Sequence, residues 1–228
     1  MVATPIGNLG DITLRALETL KEVDLIACED TRHTQKLLTH YDIHKRLIAT
    51  HAHNELASAQ GIIQMLSEGL NIAFVSDAGT PGISDPGSRL VQEVRQAGFP
   101  IIPIPGPSAL SALVSVAALS KKSFFFEGFL SPKASRRKQR LAALLATKEA
   151  FVVYESPFRI LKLLKDLEEL ESSRRLLMGR EMTKMHQEYV EGSAATLLQL
   201  LGQRESVKGE FSLLIYPPDA EKEDDNYS

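Results

Sequence analysis

The chain has 228 residues, 43% of them hydrophobic and 24% charged, which suits a globular protein with an ample core and excludes a disordered or collagen-like chain. A single cysteine, Cys28, excludes an intrachain disulfide and a cysteine-based zinc site, and points to a reducing cytoplasm. The formal net charge of −3 is uneven: residues 219–228 hold five acids and one lysine, so the remaining body is about +1 and a nucleic-acid partner stays open.

The opening MVATPIGNLG has neither a basic region nor an apolar stretch of signal-peptide length. Residues 12–22 carry Leu14, Leu17 and Leu20 at helical spacing, with Asp11 as the expected N-cap. Residues 23–28 read as a short apolar strand ending at Glu29-Asp30. A helix over 34–40, a strand over 47–50 and a helix over 55–67 follow, the last closed by Gly69. Residues 72–75 are a strand, 88–97 a helix closed by Gly98, and 101–104 another strand. The uncharged run 98–120 contains Pro100, Pro103, Pro105 and Pro107, and reads as a buried strand, a turn and a buried helix rather than a membrane span. Alternating strands and helices imply right-handed crossovers and a mostly parallel sheet.

Around 119–122 the pattern changes. A strand begins at Phe124, Phe125 and Phe126, followed by a basic helix over 133–146, a strand over 150–154 and a helix over 158–170. Strands at 175–179, 186–191 and 211–216, with a helix at 194–201, predict a mixed sheet, because two strands succeed each other without a crossover. The expected organisation is an α/β chain in two domains, 1–119 and 123–217, ending in an acidic, disordered tail over 218–228.

Three strand-to-helix turns are predicted at one sheet edge. The segment 4–11, TPIGNLGD, has two glycines that let backbone approach a ligand closely, yet is neither GxGxxG nor a Walker loop. The segment 76–87, SDAGTPGISDPG, is longer than ordinary αβ connections and sits where open α/β sheets bind ligands. Asp77 and Asp85 in it suit Mg²⁺ or, alternatively, simple turn and cap roles. The turn 105–109, PGPSA, is the third. None of the three holds a lysine, which favours an adenosine-like ligand over a polyphosphate.

Glu29-Asp30-Thr31-Arg32 falls on the same edge. One carboxylate could take a proton from a hydroxyl, while Arg32 could hold a phosphate or pair with its neighbour. Five histidines cluster at positions 33, 40, 44, 51 and 53. His40 and His44 have ligand spacing, but the absence of HExxH favours surface or RNA-facing roles. Lys133, Arg136, Arg137, Lys138 and Arg140 form a single-sign cluster flanked by Phe129, a candidate contact for phosphate backbone.

Together with Tyr154-Glu155-Ser156-Pro157 and Glu181-Met182-Thr183-Lys184, these segments closely resemble the ribosomal RNA small subunit methyltransferase I family, of the tetrapyrrole-methylase-like superfamily, to about Pro217. The resemblance implies a two-domain α/β methyltransferase with S-adenosylmethionine in the cleft between its domains. It also implies 2′-O-methylation of a cytidine ribose in 16S, small-subunit rRNA near the decoding centre, by a cytoplasmic homodimer. Cofactor contacts are implied at Pro5, Ala78, Gly79, Thr80, Ile83, Ser108 and Ala109, with Glu155 and Met182 from the second domain. Glu29 occupies the strand-end position of an acidic catalytic residue. Members usually carry several extended residues ahead of the ATPIGN segment, so the first strand is expected to be nearly missing here.

Transfer of a methyl group from a sulfonium is an in-line displacement that needs no metal. Glu29 or Asp30 is the expected base or hydroxyl-orienting group, Lys184 the polarising cation, and Arg32 a holder of substrate phosphate. The alternatives are a small tetrapyrrole substrate, disfavoured by the basic cluster, and a non-catalytic RNA-binding module.

Overall fold

A computed structural model describes residues 1–50, 55–119 and 123–218; His51, His53 and the acidic tail lie outside the described residues. The chain forms two compact units, 1–109 and 110–228. Sequence reading put the change of pattern near 119–122, beyond the seven-residue helix that opens the second unit.

In the first unit, β1 (Leu25–Cys28) lies between β2 (Arg46–Ala49) and β3 (Ile72–Val75), both parallel to it. All four β1 residues are buried, as a strand covered on both faces requires. Alternate residues feed two cores. Ile26, Cys28 and Val75 pack with Ala16 and Leu20 of α1 (Leu14–Glu22) and Leu38 of α2 (Thr31–His40). Ala27 and Phe74 pack on the other face with Ile62 of α3 (Glu55–Ser67) and Val94 of α4 (Ser88–Gln96).

The first residues extend this sheet. Val2 N donates to Phe74 O at 2.9 Å, and Ile104 N donates to Met1 O at 2.8 Å, which sets residues 1–3 between β3 and Ile104. The expected strand over 101–104 is reduced to that one bridge, because Pro103 has no N–H and Pro100 and Pro105 bracket it. The cap of α1 is Thr13, whose hydroxyl accepts from Ala16 N at 3.1 Å; Asp11 instead closes a short 3₁₀ turn, Leu9–Asp11. Helix α2 starts three residues earlier than its apolar spacing suggested, because the Asp30 side chain caps it.

The second unit opens with α5 (Ala109–Ser115), whose first residue belongs to the first unit. It then runs β4 (Phe124–Phe129), α6 (Ala134–Ala146), β5 (Ala150–Glu155), α7 (Ile160–Glu171), β6 (Leu176–Arg180), β7 (Glu188–Gly192), α8 (Ala194–Gly202) and β8 (Phe211–Ile215). Strand order is β4-β5-β8-β6-β7. Only β4 and β5 pair in parallel and the other pairs are antiparallel, so the sheet is mixed. Leu141 and Leu144 of α6, Leu163 and Leu164 of α7, and Leu197 of α8 join Phe151, Met178 and Leu213 in one core. No helix among the described residues is long and apolar enough to cross a membrane.

Candidate active site

Main-chain bonds hold the three glycine-rich segments of the first unit together. Thr4 N donates to Gly79 O at 2.9 Å and Gly79 N returns a bond to Thr4 O at 3.0 Å. The buried Thr4 hydroxyl donates to Ser76 O at 3.3 Å, and the Thr80 hydroxyl reaches Pro107 O at 3.1 Å. Segments 4–11, 76–87 and 105–109 are thereby one surface at the carboxyl edge of β1 and β3. Gly79 has φ of 80°, and a Cβ there would come within 3.2 Å of Ile6 Cγ2, so the close approach needs glycine. Pro5 is buried in the seam, while Ala78 and Ile83 present exposed faces beside the half-buried Thr80, Ser108 and Ala109.

Four carboxylates gather at this edge. Burial first, then Asp77, Asp85 and Asp30, push the Glu29 carboxyl above the ordinary glutamate range. Asp30 differs: its Oδ1 accepts from Arg32 N at 2.8 Å, capping α2, and Arg32 Nη2 lies 3.3 Å from Oδ2. Those Arg32 hydrogen bonds hold the Asp30 carboxyl below its usual value. Asp30 N also donates to Asp77 Oδ1 at 3.2 Å, which ties the end of β1 to the loop after β3. Sequence reasoning had weighed Asp77 only as a metal ligand or cap. Its signal was an acid directly after a second strand of the same parallel sheet. Among the described residues, no group of three His, Cys, Asp or Glu is arranged to hold a metal ion.

A cavity of about 630 Å³ opens elsewhere, at the amino-terminal edge of this sheet, lined by Met1, Asn71, Ile72, Ile101 and Ile102 among others. Apart from the chain start it contains none of the motif residues, which lie at the opposite edge.

In the second unit, Glu155 ends β5 with its side chain fully buried. Its Oε1 accepts from Ser156 N and lies 2.7 Å from Arg159 Nε, while its Oε2 has no hydrogen-bond partner. Met182 is buried, with its sulfur 2.7 Å from where a Cβ on Gly179 would stand. Glu181 and Thr183 on either side take positive φ, 48° and 66°, a strained loop of the kind that accompanies functional positions. Lys184 is not poised to lose its proton. Burial pulls its pKa down, but bonds to Glu181 at 2.8 Å and Glu210 at 3.1 Å outweigh this and hold the ammonium above the usual lysine value.

The basic helix α6 separates into two groups. Arg137 is buried, with Nε 2.6 Å from Asp166 Oδ2; it is a core residue and not a phosphate contact. Lys138 pairs with Glu169 and lies 3.6 Å from Asp166, and Arg140 grips Glu127 through two bonds of 2.7 and 2.6 Å. Asp166, Glu169 and Glu171 therefore pair with cations of their own chain. Lys133 and Arg136 alone of the five are exposed cations with no ion pair to a described residue.

The Tetrapyrrole (Corrin/Porphyrin) Methylases family matches residues 1–198. Ribosomal RNA small subunit methyltransferase I of Synechocystis sp. is 48% identical over 216 residues, covering 94% of this chain and 77% of that protein. The protein of the same name from Borrelia garinii is 45% identical, covering 94% of this chain and 96% of that one. The chain belongs to the ribosomal RNA small subunit methyltransferase I family. Membership makes it a methyltransferase built on the tetrapyrrole methylase fold. Solved structures of low identity agree on that fold: diphthine synthase has a TM-score of 0.74 at 13% identity, covering 95% of this chain and 88% of that one. Uroporphyrin-III-C-methyltransferase from Thermus thermophilus has 0.63 at 17%, covering 94% and 92%. In this chain the motif-bearing loops and the acidic strand end share one edge of the first unit.

Proposed function

We propose that this chain transfers a methyl group from S-adenosylmethionine to the 2′-hydroxyl of a cytidine ribose in 16S rRNA. The observation that carries the reading is the joined loop surface beside four carboxylates. Segments 4–11, 76–87 and 105–109 offer close main-chain approach, small side chains and no cation, which suits a positively charged adenosyl ligand and not a polyphosphate. Pro5, Ala78, Gly79, Thr80, Ile83, Ser108 and Ala109 would hold it, and Glu155, whose buried Oε2 lacks a donor, and Met182 enter the same assignment.

The bound cofactor supplies an already activated methyl on sulfur. Glu29, its proton affinity raised by burial and neighbouring acids, accepts or orients the ribose hydroxyl proton. Asp30 caps α2 and steers Arg32, whose exposed guanidinium is available to a substrate phosphate. Lys133 and Arg136 add exposed charge for RNA on the second unit. Lys184, whose ammonium Glu181 and Glu210 hold above the usual lysine value, would enter as a polarising cation and not as a base.

Labelled methyl incorporation into small subunits or free rRNA, followed by nuclease mapping, tests the assignment. Label in one cytidine ribose is the expected result. Label on a base, or transfer to a porphyrin-type acceptor in place of RNA, overturns it. Sedimentation of the purified protein tests the accompanying expectation of a homodimer.

A further inference from the structure

Helix α2 carries a second feature besides its Asp30 cap. Its inner face, Thr34, Leu37 and Leu38, is buried in the first unit. Its outer face is exposed and presents Arg32, Lys36 and His40 at i, i+4 and i+8, with Gln35 and Thr39 between them. These residues line an open concavity of about 850 Å³ whose lining contains no acid. Of the nearby acids, Asp30 caps the helix and pairs with Arg32, and Asp42 lies past the helix end, 3.7 Å from His44. Neither Lys36 nor His40 is in an ion pair with another described residue. The contrast with α6, where three of five cations are bound to acids of their own chain, is direct.

We propose that the outer face of α2 is the track for the single-stranded RNA that flanks the methylated nucleotide, with Lys36 and His40 continuing the line of phosphate contacts begun by Arg32. This rests on the reading of the chain as an rRNA methyltransferase. Glu29 and Asp30 immediately precede the helix, so a ribose presented to Glu29 delivers its flanking backbone to the first turn of α2. The exposed Arg32–Asp30 pair is a weak tie that a phosphate can displace. Successive residues of the stripe are about 6 Å apart along the axis, as four residues at the helical rise require, a step suited to successive phosphates of an extended strand. Gln35 and Thr39 supply neutral donors between the charges; the Gln35 amide already donates to the Thr39 hydroxyl at 3.3 Å. The wall contains only one apolar residue, Leu47, so complementarity is to a polyanion and not to an apolar protein surface.

The test is a salt titration of RNA binding with full-length wild type, Lys36→Gln, Lys36→Arg and the charge-reversed Lys36→Glu/His40→Glu. Both positions are exposed, so circular dichroism should show unchanged helix content. For Lys36→Gln, the slope of log K against log salt should shrink by about 0.7, one phosphate contact to a single strand. The reversed pair should bind RNA at least several-fold more weakly at physiological salt, and Lys36→Arg should keep the wild-type slope. S-adenosylmethionine affinity should stay within about twofold in all of them. Wild-type RNA slopes in both neutralised and reversed variants, alongside a wild type that methylates rRNA, would overturn the track while leaving the activity intact. Altered sedimentation with an unchanged slope would reassign the face to a protein partner and also overturn it. A wild type that neither binds nor methylates rRNA removes the underlying reading and this one with it.

Discussion

Two adjacent carboxylates, Glu29 and Asp30, are equivalent in sequence and opposite in setting. Glu29 is held above the glutamate range by burial and like charges, so its ionised form is disfavoured in the folded chain. The stabilising share of that shift is present at acid pH and is lost as pH rises through the folded pKa. Glu29→Gln should therefore melt no lower than wild type at neutral pH while methyl transfer falls about 10²-fold or more, the scale of a lost general base. The rate of wild type should rise with pH through a midpoint above that of an ordinary glutamate. Asp30 has the reverse sign: the Arg32 bonds that lower its pKa stabilise the fold above the unfolded value and fade as pH falls through the folded one. Asp30→Asn keeps a capping oxygen, so its turnover should drop far less than that of Glu29→Gln. At Gly79, valine would place a branched side chain at φ of 80° and within contact of Ile6. Calorimetry on folded Gly79→Val should find S-adenosylmethionine affinity at least tenfold weaker, and unchanged affinity would remove the loop over 76–87 from the site.

At the scale of elements, most boundaries were legible because apolar periodicity and chain breakers agree. Gly98, with φ of 84°, follows α4, and the succession β6-β7 without a crossover announced the mixed sheet. The exceptions have local physical causes. Helix α2 opens with Thr31, Arg32 and His33, polar residues that carry no core period, so only the Asp30 cap marks its start. The proline-rich 101–104 strand loses its donors and survives as a bridge at Ile104. In α6 the cluster of like charge was visible, but not which member turns inward, because Asp166 is contributed by α7 from 29 residues away. That pair is buried on both sides, 4% and 7% exposed. Arg137→Met should strand Asp166 and cost about 3 kcal/mol, moderated by Lys138, whereas Arg137→Met with Asp166→Leu should recover most of the loss. Urea denaturation of the two variants decides this, and equal destabilisation would mean the ion pair is not the cause. The loop surface was legible as three segments, but the reciprocal Thr4–Gly79 bond that joins them was not, since main-chain pairing leaves no side-chain signature.

For the molecule as a whole, each unit has its own core, but they close differently along the chain. The second unit pairs β4 with β5, and β6 with β7, between neighbours in sequence, and closes at its far end by inserting its last strand, β8, between β5 and β6. The first must bring its opening residues to partners far downstream: 72 residues separate Thr4 from Ser76, and 101 separate Met1 from Ile102. Contacts so distant form only after the loop entropy of the intervening chain has been overcome, which slows folding. Limited proteolysis of ribosome-stalled chains should find residues 1–4 cleavable until Ile104 has left the exit tunnel, and protected soon afterwards. Protection in chains stalled just after Val75 would contradict this order. The loop over 4–11 thus gains its anchors in stages, first Phe74, Ser76 and Gly79 and then Ile104, each supplied by chain made long after the loop itself. A surface joined from three segments so far apart exists only when all three have been made, so the binding proposed for it can begin no earlier than the turn at 105–109.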